Sequence, residues 1–200
     1  MSELGTKIFK QEAKFIAGVA RTDQFPKLFL PQVAFLGKSN VGKSSLINAI
    51  CRRKSLARVS HTPGRTQQIN FFSIIDKLLI ADLPGYGFAK ISQNQRVQWE
   101  KLIMHYLEES VHLKMINLLI DARRNIKEND IKVIKILQQY DRRFQIVLTK
   151  TDKASIDEEF LIYLKERLSF LEDLPKILAT SSKSGIGIKE LQRSMTECLH

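Results

Sequence analysis

A glycine-rich segment, Gly37–Ser44, has the spacing G-x-x-x-x-G-K-S. Glycines let successive backbone N–H groups curve around a phosphate without Cβ clashes, and a helix N-terminus adds a partial positive charge. In such a loop Lys43 can reach the terminal phosphate oxygens, and Ser44 can offer its hydroxyl to Mg²⁺. The segment therefore predicts a phosphate site formed by Gly37, Lys38, Ser39, Asn40, Val41, Gly42, Lys43, Ser44 and the adjacent Ser45.

A second segment, Asp82-Leu83-Pro84-Gly85, could complete a metal and γ-phosphate site. Its carboxylate can hold magnesium through water, and the N–H of Gly85 can approach the γ-phosphate. Between the two segments lies a polar, turn-rich stretch that is unsuited to a core, Ser60–Gln68. A threonine there could join the magnesium shell while a triphosphate is bound and leave it after hydrolysis, which predicts a switch. Thr62 and Thr66 both fit this chemistry, and spacing alone does not choose between them.

Two polar segments further along the chain have the chemistry of a purine-reading site. The carboxylate of Asp152 can accept hydrogen bonds from N1–H and the 2-amino group of guanine, a donor pair that adenine lacks, so the site would select GTP. The stem of Lys150 can pack along the purine plane, and a backbone N–H after the next strand could meet the guanine O6. The predicted base site comprises Thr149, Lys150, Thr151, Asp152, Thr180, Ser181, Ser182 and Lys183.

These motifs all fall at the carboxyl ends of predicted strands, and the phosphate loop directly precedes a predicted helical stretch, Ser45–Cys51. Short apolar runs alternate with stretches of helical spacing, which favours right-handed βαβ units and a three-layer α/β fold with a mixed, mostly parallel sheet. Ligands of such sheets bind beyond the carboxyl ends of the strands. The predicted strands are Val33–Leu36, Phe71–Ile75, Leu78–Ala81, Ile116–Ile120, Phe144–Leu148 and Ile177–Ala179, with a turn at Asp76-Lys77 between the second and third.

Length and composition favour one globular domain in a reducing compartment. The 200 residues are 44% hydrophobic and 26% charged, and no apolar run approaches the roughly 20 residues of a bilayer span. Neither Cys51 nor Cys198 belongs to a C-x-x-C pair, which excludes a disulfide scaffold and a cysteine-based zinc site and fits the cytoplasm. Partial alternation of apolar residues predicts an edge strand in a lead-in segment, residues 1–28, before the main domain, residues 29–200.

With these motifs, the chain resembles the Ras-like, translation-factor class of P-loop GTPases, and within it the EngB family (also called YihA or YsxC). The most specific stretches are Gly37–Asn48, Thr62–Gln67, Asp82–Ala89 and Thr149–Asp152. The resemblance implies a Ras-like G domain that binds GTP or GDP, with Ser44, Thr66 and Asp82 around Mg²⁺ and with Lys43, Thr66 and Gly85 in catalysis. It also adds Gly64 and Arg65 to the nucleotide contacts. Finally, it implies a role in assembly of the large ribosomal subunit and in normal cell division and septation.

Two residues bear on the rate of hydrolysis. Tyr86 follows the Asp-x-x-Gly segment at the position where Ras-like proteins have a glutamine that orients the attacking water. Tyrosine cannot do this in the same way, so we expect slow intrinsic hydrolysis and acceleration by a partner or another group. Asn40 is the fourth residue of the phosphate loop, and in relatives that K⁺ activates an asparagine there helps to hold the potassium ion.

The charge balance predicts a polyanionic partner. Lys and Arg number 32 against 21 Asp and Glu, a net charge of +11. No helix joins a strongly basic face to an aromatic apolar one, so we expect ribosomal RNA rather than a membrane, bound by a monomer mainly through phosphates and shape. Two alternative functions of the protein remain open, which are an ATP-using P-loop kinase and a regulator of the division machinery. The basic clusters are Arg52-Arg53-Lys54, Arg58, Arg65, Lys90, Arg96, Arg123-Arg124 and Arg142-Arg143.

Overall fold

The computed structural model describes residues 6–27, 29–58, 68–87, 93–197 and 199, with the backbone only for residues 93–96. Gly64, Arg65 and the two candidate switch threonines, Thr62 and Thr66, lie outside the described residues. The predicted contacts of these four residues therefore stay predictions.

A seven-stranded sheet in the order β1-β3-β4-β2-β5-β6-β7 forms the centre of the fold. Strands β4, β2, β5, β6 and β7 pair in parallel, whereas β3 is antiparallel to both of its neighbours. The predicted mixed, mostly parallel sheet is therefore confirmed. The strands are β1 Ala13–Val19, β2 Gln32–Gly37, β3 Ile69–Ile74, β4 Leu78–Asp82, β5 Leu113–Asp121, β6 Phe144–Thr149 and β7 Ile177–Ala179.

Helices cover both faces of the sheet. Alternate residues of β2 separate two cores: Ala34 and Leu36 face the core that includes α2, α3 and α4, and Val33 and Phe35 face the core that includes α1 and α5. In the part of the chain that the structure describes, no helix has both the length and the apolar character that crossing a bilayer requires. The helices are α1 Lys43–Ile50, α2 Gln93–Glu109, α3 Glu128–Gln139, α4 Glu158–Arg167 and α5 Ile188–Glu197.

The first strand lies at one edge of this sheet. Strand β1 pairs with β3 from Ala13 to Val19, with an irregularity in the register between Phe15 and Ala17. The short helical turn Ile8–Lys10 precedes the strand, and the buried ring of Phe9 packs in the same core as α1. The division of the chain between residues 28 and 29 stays a prediction.

Several element boundaries differ from the sequence expectation by one to three residues, and two of these differences have a clear physical cause. Helix α1 begins at Lys43 rather than Ser45, because the phosphate-loop backbone turns into the helix before the first apolar residue. Strand β5 runs on to Asp121, which pairs in register with Thr149 of β6. Backbone hydrogen bonds carry a ladder past the end of the apolar run, so the apolar run alone underestimates the strand.

Candidate nucleotide-binding site

The phosphate-loop residues connect the end of β2 to the start of α1. Gly37 ends β2 at a place without room for a side chain, since an added Cβ would lie 2.9 Å from the Cβ of Leu119. Gly42 forms the N-cap of α1 with φ +106°, in the region that favours glycine. Its carbonyl accepts the N–H of Leu46 at 2.9 Å. The helix therefore starts inside the motif, with its N-terminal N–H groups at the loop.

The Asp-x-x-Gly segment lies against this loop. An added Cβ on Gly85 would lie 3.1 Å from the backbone nitrogen of Ser39, so glycine permits the close approach of the two segments. The N–H of Tyr86 donates to the carbonyl of Gly37 at 3.2 Å, and the N–H of Ser39 donates to the carbonyl of Tyr86 at 3.1 Å. Leu83 and Pro84 are buried behind this contact.

Lys43 and Asp82 form an ion pair at the centre of the site. The side chain of Lys43 is 13% exposed and that of Asp82 is 5% exposed, so both charges are largely removed from water. Charged groups buried to this extent need a partner of opposite charge, and in this pair each residue is the partner of the other. In this state the lysine that would hold phosphate oxygens neutralises the carboxylate that would hold a metal.

The donor groups at this position fit magnesium. Ser44 lies in the first turn of α1, next to the lysine that contacts the Asp82 carboxylate. Hydroxyl and carboxylate oxygens are the hard donors that Mg²⁺ prefers, with the remaining positions filled by water and phosphate. When bound, the ion would neutralise charge on the phosphate oxygens.

Tyr86 turns its hydroxyl towards the interior. The hydroxyl donates to Asp130 Oδ1 at 2.5 Å, and both residues are 5% exposed. Burial raises the pKa of the Tyr86 phenol, and the charge of Asp130 raises it further, so the group is a protonated donor at neutral pH. The other oxygen of Asp130 accepts the N–H of Lys127 at 2.8 Å, at the start of α3. Tyr86 stands where Ras-like proteins have the water-orienting glutamine, and its hydroxyl is bonded to Asp130 of α3.

Hydrogen bonds connect the end of β6 to the phosphate loop. Thr149 Oγ1 donates to the carbonyl of Val41 at 2.7 Å. Lys150, with φ +59°, donates from Nζ to the carbonyl of Asn40 at 2.7 Å and to Asp121 Oδ2 at 2.9 Å. These contacts bring the predicted base segment and the predicted phosphate segment together in one site.

Asp152 is oriented by the second base segment. Ser181 Oγ donates to Asp152 Oδ1 at 2.6 Å, and this hydrogen bond lowers the pKa of the carboxyl, so Asp152 is ionised and can only accept. The N–H of Thr151 donates to the carbonyl of Thr180 at 3.2 Å, which holds the two segments side by side. An ionised carboxylate has about four acceptor sites, so Asp152 can accept the hydrogen bond of Ser181 and still accept a pair of donors such as those of guanine.

Two of the three N–H groups in Ser181–Lys183, the segment predicted to meet the guanine O6, already donate hydrogen bonds. The N–H of Ser181 donates to the carbonyl of Ile186 at 3.0 Å, and that of Lys183 donates to Ser181 Oγ at 3.2 Å. Among the described residues this leaves the N–H of Ser182 as the group that could meet O6.

The sequence reading missed two aspartates. Asp121 accepts hydrogen bonds from Arg123 and Lys150; burial raises its pKa, but these bonds outweigh burial and hold the pKa well below its usual range. Asp130 bonds Tyr86, as described above. The signal for Asp121 was present, because it ends an apolar strand in the same way as Asp82 does. No local pattern marks Asp130.

The comparisons with known proteins agree with this geometry. The 50S ribosome-binding GTPase family matches residues 32–150. A probable GTP-binding protein EngB of Rickettsia bellii is 51% identical over 193 residues, which cover 96% of this chain and 91% of the relative. The chain belongs to the EngB family of GTP-binding proteins. Membership makes it a GTPase, so the phosphate and base segments described above are parts of a G domain.

Solved structures show the same fold. A probable EngB protein matches with a TM-score of 0.68 at 23% identity, over 84% of this chain and 98% of the other. Era, crystallised with MgGDPNP and nucleotides 1506–1542 of 16S ribosomal RNA, matches with a TM-score of 0.67 at 24% identity, over 84% and 56% of the two chains. The predicted P-loop G-domain fold is therefore confirmed.

Proposed function

We propose that this EngB-family GTPase acts as a nucleotide-dependent switch in assembly of the large ribosomal subunit, and that cell division and septation depend on it. The observation that carries the proposal is the match to a 50S ribosome-binding GTPase family over residues 32–150. The net charge of +11 supports contact with ribosomal RNA. The protein acts in the cytoplasm as a monomer.

The placement of the motifs supports the nucleotide contacts that the sequence predicts. The loop Gly37–Ser44 with Ser45 binds the phosphates. The segment Asp82–Gly85 binds a water molecule of the magnesium ion and the γ-phosphate. Guanine is bound by Thr149–Asp152 together with Thr180–Lys183. Supporting this, the contacts of Lys150 with Asn40 and of Lys43 with Asp82 join three of these segments, and the hydrogen bond of Ser181 to Asp152 joins the fourth. Ser44, Asp82 and Thr66 hold Mg²⁺, and Gly64 and Arg65 complete the nucleotide contacts.

Hydrolysis is catalysed by Lys43, Thr66 and Gly85 and is slow without a partner. The supporting observation is that the Tyr86 hydroxyl is bonded to Asp130 and is therefore not free to orient water. Asn40 holds a K⁺ ion that accelerates the reaction. GTP hydrolysis assayed in K⁺ and in Na⁺ tests this last point, and equal rates would refute it.

Co-sedimentation with purified 50S subunits tests the ribosomal role. We expect more protein in the subunit pellet with a non-hydrolysable GTP analogue than with GDP, and less in both as the salt concentration rises. Absence of binding to 50S subunits in either nucleotide state would refute the role. Recovery of a division protein instead, from a pull-down with the same analogue, would favour a direct action on the division machinery.

A further inference from the structure

A cavity of about 390 Å³ lies between the phosphate loop and the connection from β5 to α3. One wall is the outer part of the loop, residues 38–41, and the opposite wall runs from Leu119 to Lys127 with Asp130 beyond it. None of Gly42, Lys43 and Ser44, whose groups would bind the nucleotide phosphates, lines the cavity. The cavity therefore adjoins the proposed nucleotide site and shares residues 38–41 with it, but it does not include the lysine and serine of the motif.

Positive charge dominates the cavity wall. Its cations are Lys38, Arg123, Arg124 and Lys127, and its acids are Asp121 and Asp130. Asp121 is already paired with Arg123 and with Lys150.

The acid at the far wall is also engaged. Asp130 accepts hydrogen bonds from the Tyr86 hydroxyl and from the N–H of Lys127. Lys38, Arg124 and Lys127 form no ion pair with any residue that the structure describes. Their charges are thus available to an anion.

The cavity also touches the segment that would respond to the γ-phosphate. The stem of Lys38 packs beside Gly87, since a Cβ added to Gly87 would lie 3.3 Å from Lys38 Cε. Lys38 pairs with Tyr86 in a parallel bridge, and Tyr86 in turn donates to Asp130 at the far wall. An anion held by Lys38 would therefore be sensitive to movement of residues 85–87.

We propose that this cavity binds a backbone phosphate of RNA through Lys38, Arg124 and Lys127. The inference deepens the proposed ribosomal function and rests on it for the class of partner. A polyanion fits because the cavity carries more positive charge than one bound phosphate needs, and because two of its cations, Arg123 and Arg124, are exposed. Through the contacts of Lys38 the strength of RNA binding depends on the bound nucleotide.

The test is a pair of double variants with equal loss of charge. R124A/K127A removes two cavity cations, and R193A/K165A removes two exposed cations that lie outside the basic clusters named above. Binding of a short fluorescein-labelled single-stranded RNA is measured by anisotropy at several KCl concentrations, with GDP and with a non-hydrolysable GTP analogue. Inorganic phosphate added to the wild type tests whether a free phosphate competes, and GTP binding confirms that each variant is folded.

For R124A/K127A we expect affinity to fall on the order of tenfold and the slope of log K against log salt to become shallower by about 1.4, the loss of two phosphate contacts. R193A/K165A should retain most of the RNA affinity and most of the salt dependence. Equal weakening of the two variants, or no binding of RNA by the wild type, would overturn the inference. Competition by inorganic phosphate with unchanged RNA affinity in R124A/K127A would assign the cavity to free phosphate instead. Binding of R124A/K127A to 50S subunits as strongly as the wild type overturns only this site, whereas failure of the wild type to bind 50S overturns the ribosomal function.

Discussion

Replacing Tyr86 by phenylalanine separates a structural role of its hydroxyl from a catalytic one. The hydroxyl donates to the buried carboxylate of Asp130 at 2.5 Å, and a hydrogen bond to a charged group contributes about 1.5–3 kcal/mol. Y86F leaves Asp130 Oδ1 without this donor, so we expect the free energy of unfolding to fall by about 2 kcal/mol. For a chain of this length that is a decrease in Tm of roughly 4–8 °C.

The assays are thermal unfolding and GTP hydrolysis on the same preparations. Because the hydroxyl is occupied by Asp130, we expect the hydrolysis rate of Y86F to stay within about twofold of the wild type at a temperature where both are folded. Y140F is the matched control, since the hydroxyl of Tyr140 has no hydrogen-bond partner among the described residues. A Y86F protein with wild-type Tm and a hydrolysis rate reduced more than tenfold would show that the hydroxyl acts on the reaction and that this reasoning is wrong.

Three further predictions test the rest of the site. D152N should lose roughly a hundredfold in GTP affinity and gain affinity for xanthosine triphosphate, because it replaces a charged acceptor by an amide; S181A should show a smaller loss, and unchanged GTP binding in D152N by calorimetry would exclude a base-reading role. K43A should destabilise the nucleotide-free protein by about 3 kcal/mol in urea unfolding, since it leaves the Asp82 carboxylate buried and unpaired, and K43A/D82N should recover part of this; an unchanged midpoint in K43A would contradict the ion pair. The pKa of Asp121 is lower in the folded protein than in the unfolded chain, so its contribution to stability is fully present above its unfolded pKa of about 4 and is lost as the pH falls towards the folded value. Between about pH 5 and pH 2 the Tm of the wild type should therefore fall more than that of D121N. Parallel curves of Tm against pH for the two proteins would argue against the pairing of Asp121 with Arg123 and Lys150.

Much of the fold follows from short-range patterns. Each predicted strand from Val33–Leu36 to Ile177–Ala179 corresponds to an observed strand, because a strand covered by helices on both faces needs a continuous apolar run. The start of α1 at Lys43 was missed for a related reason. Helical periodicity is read from apolar residues, and the first turn of this helix is polar.

The partners within the site did not follow from those patterns. The bond of Lys150 to Asp121 spans 29 residues, and that of Tyr86 to Asp130 spans 44. Such pairs form because parallel registers align the ends of β2, β5 and β6. Nothing in the spacing of residues along the chain specifies those registers.

The amino-acid sequence by itself determined the kind of ligand, since glycine, lysine, serine and aspartate at fixed spacing dictate local backbone shape and the donors and acceptors it presents. Only the tertiary structure decided which of those groups neutralise one another. It paired Lys43 with Asp82, directed the Tyr86 hydroxyl to α3, and left three cations beside the phosphate loop without an ion pair among the described residues. Electrostatic and hydrogen-bond energies depend on distance and burial, and both arise only when distant segments pack together.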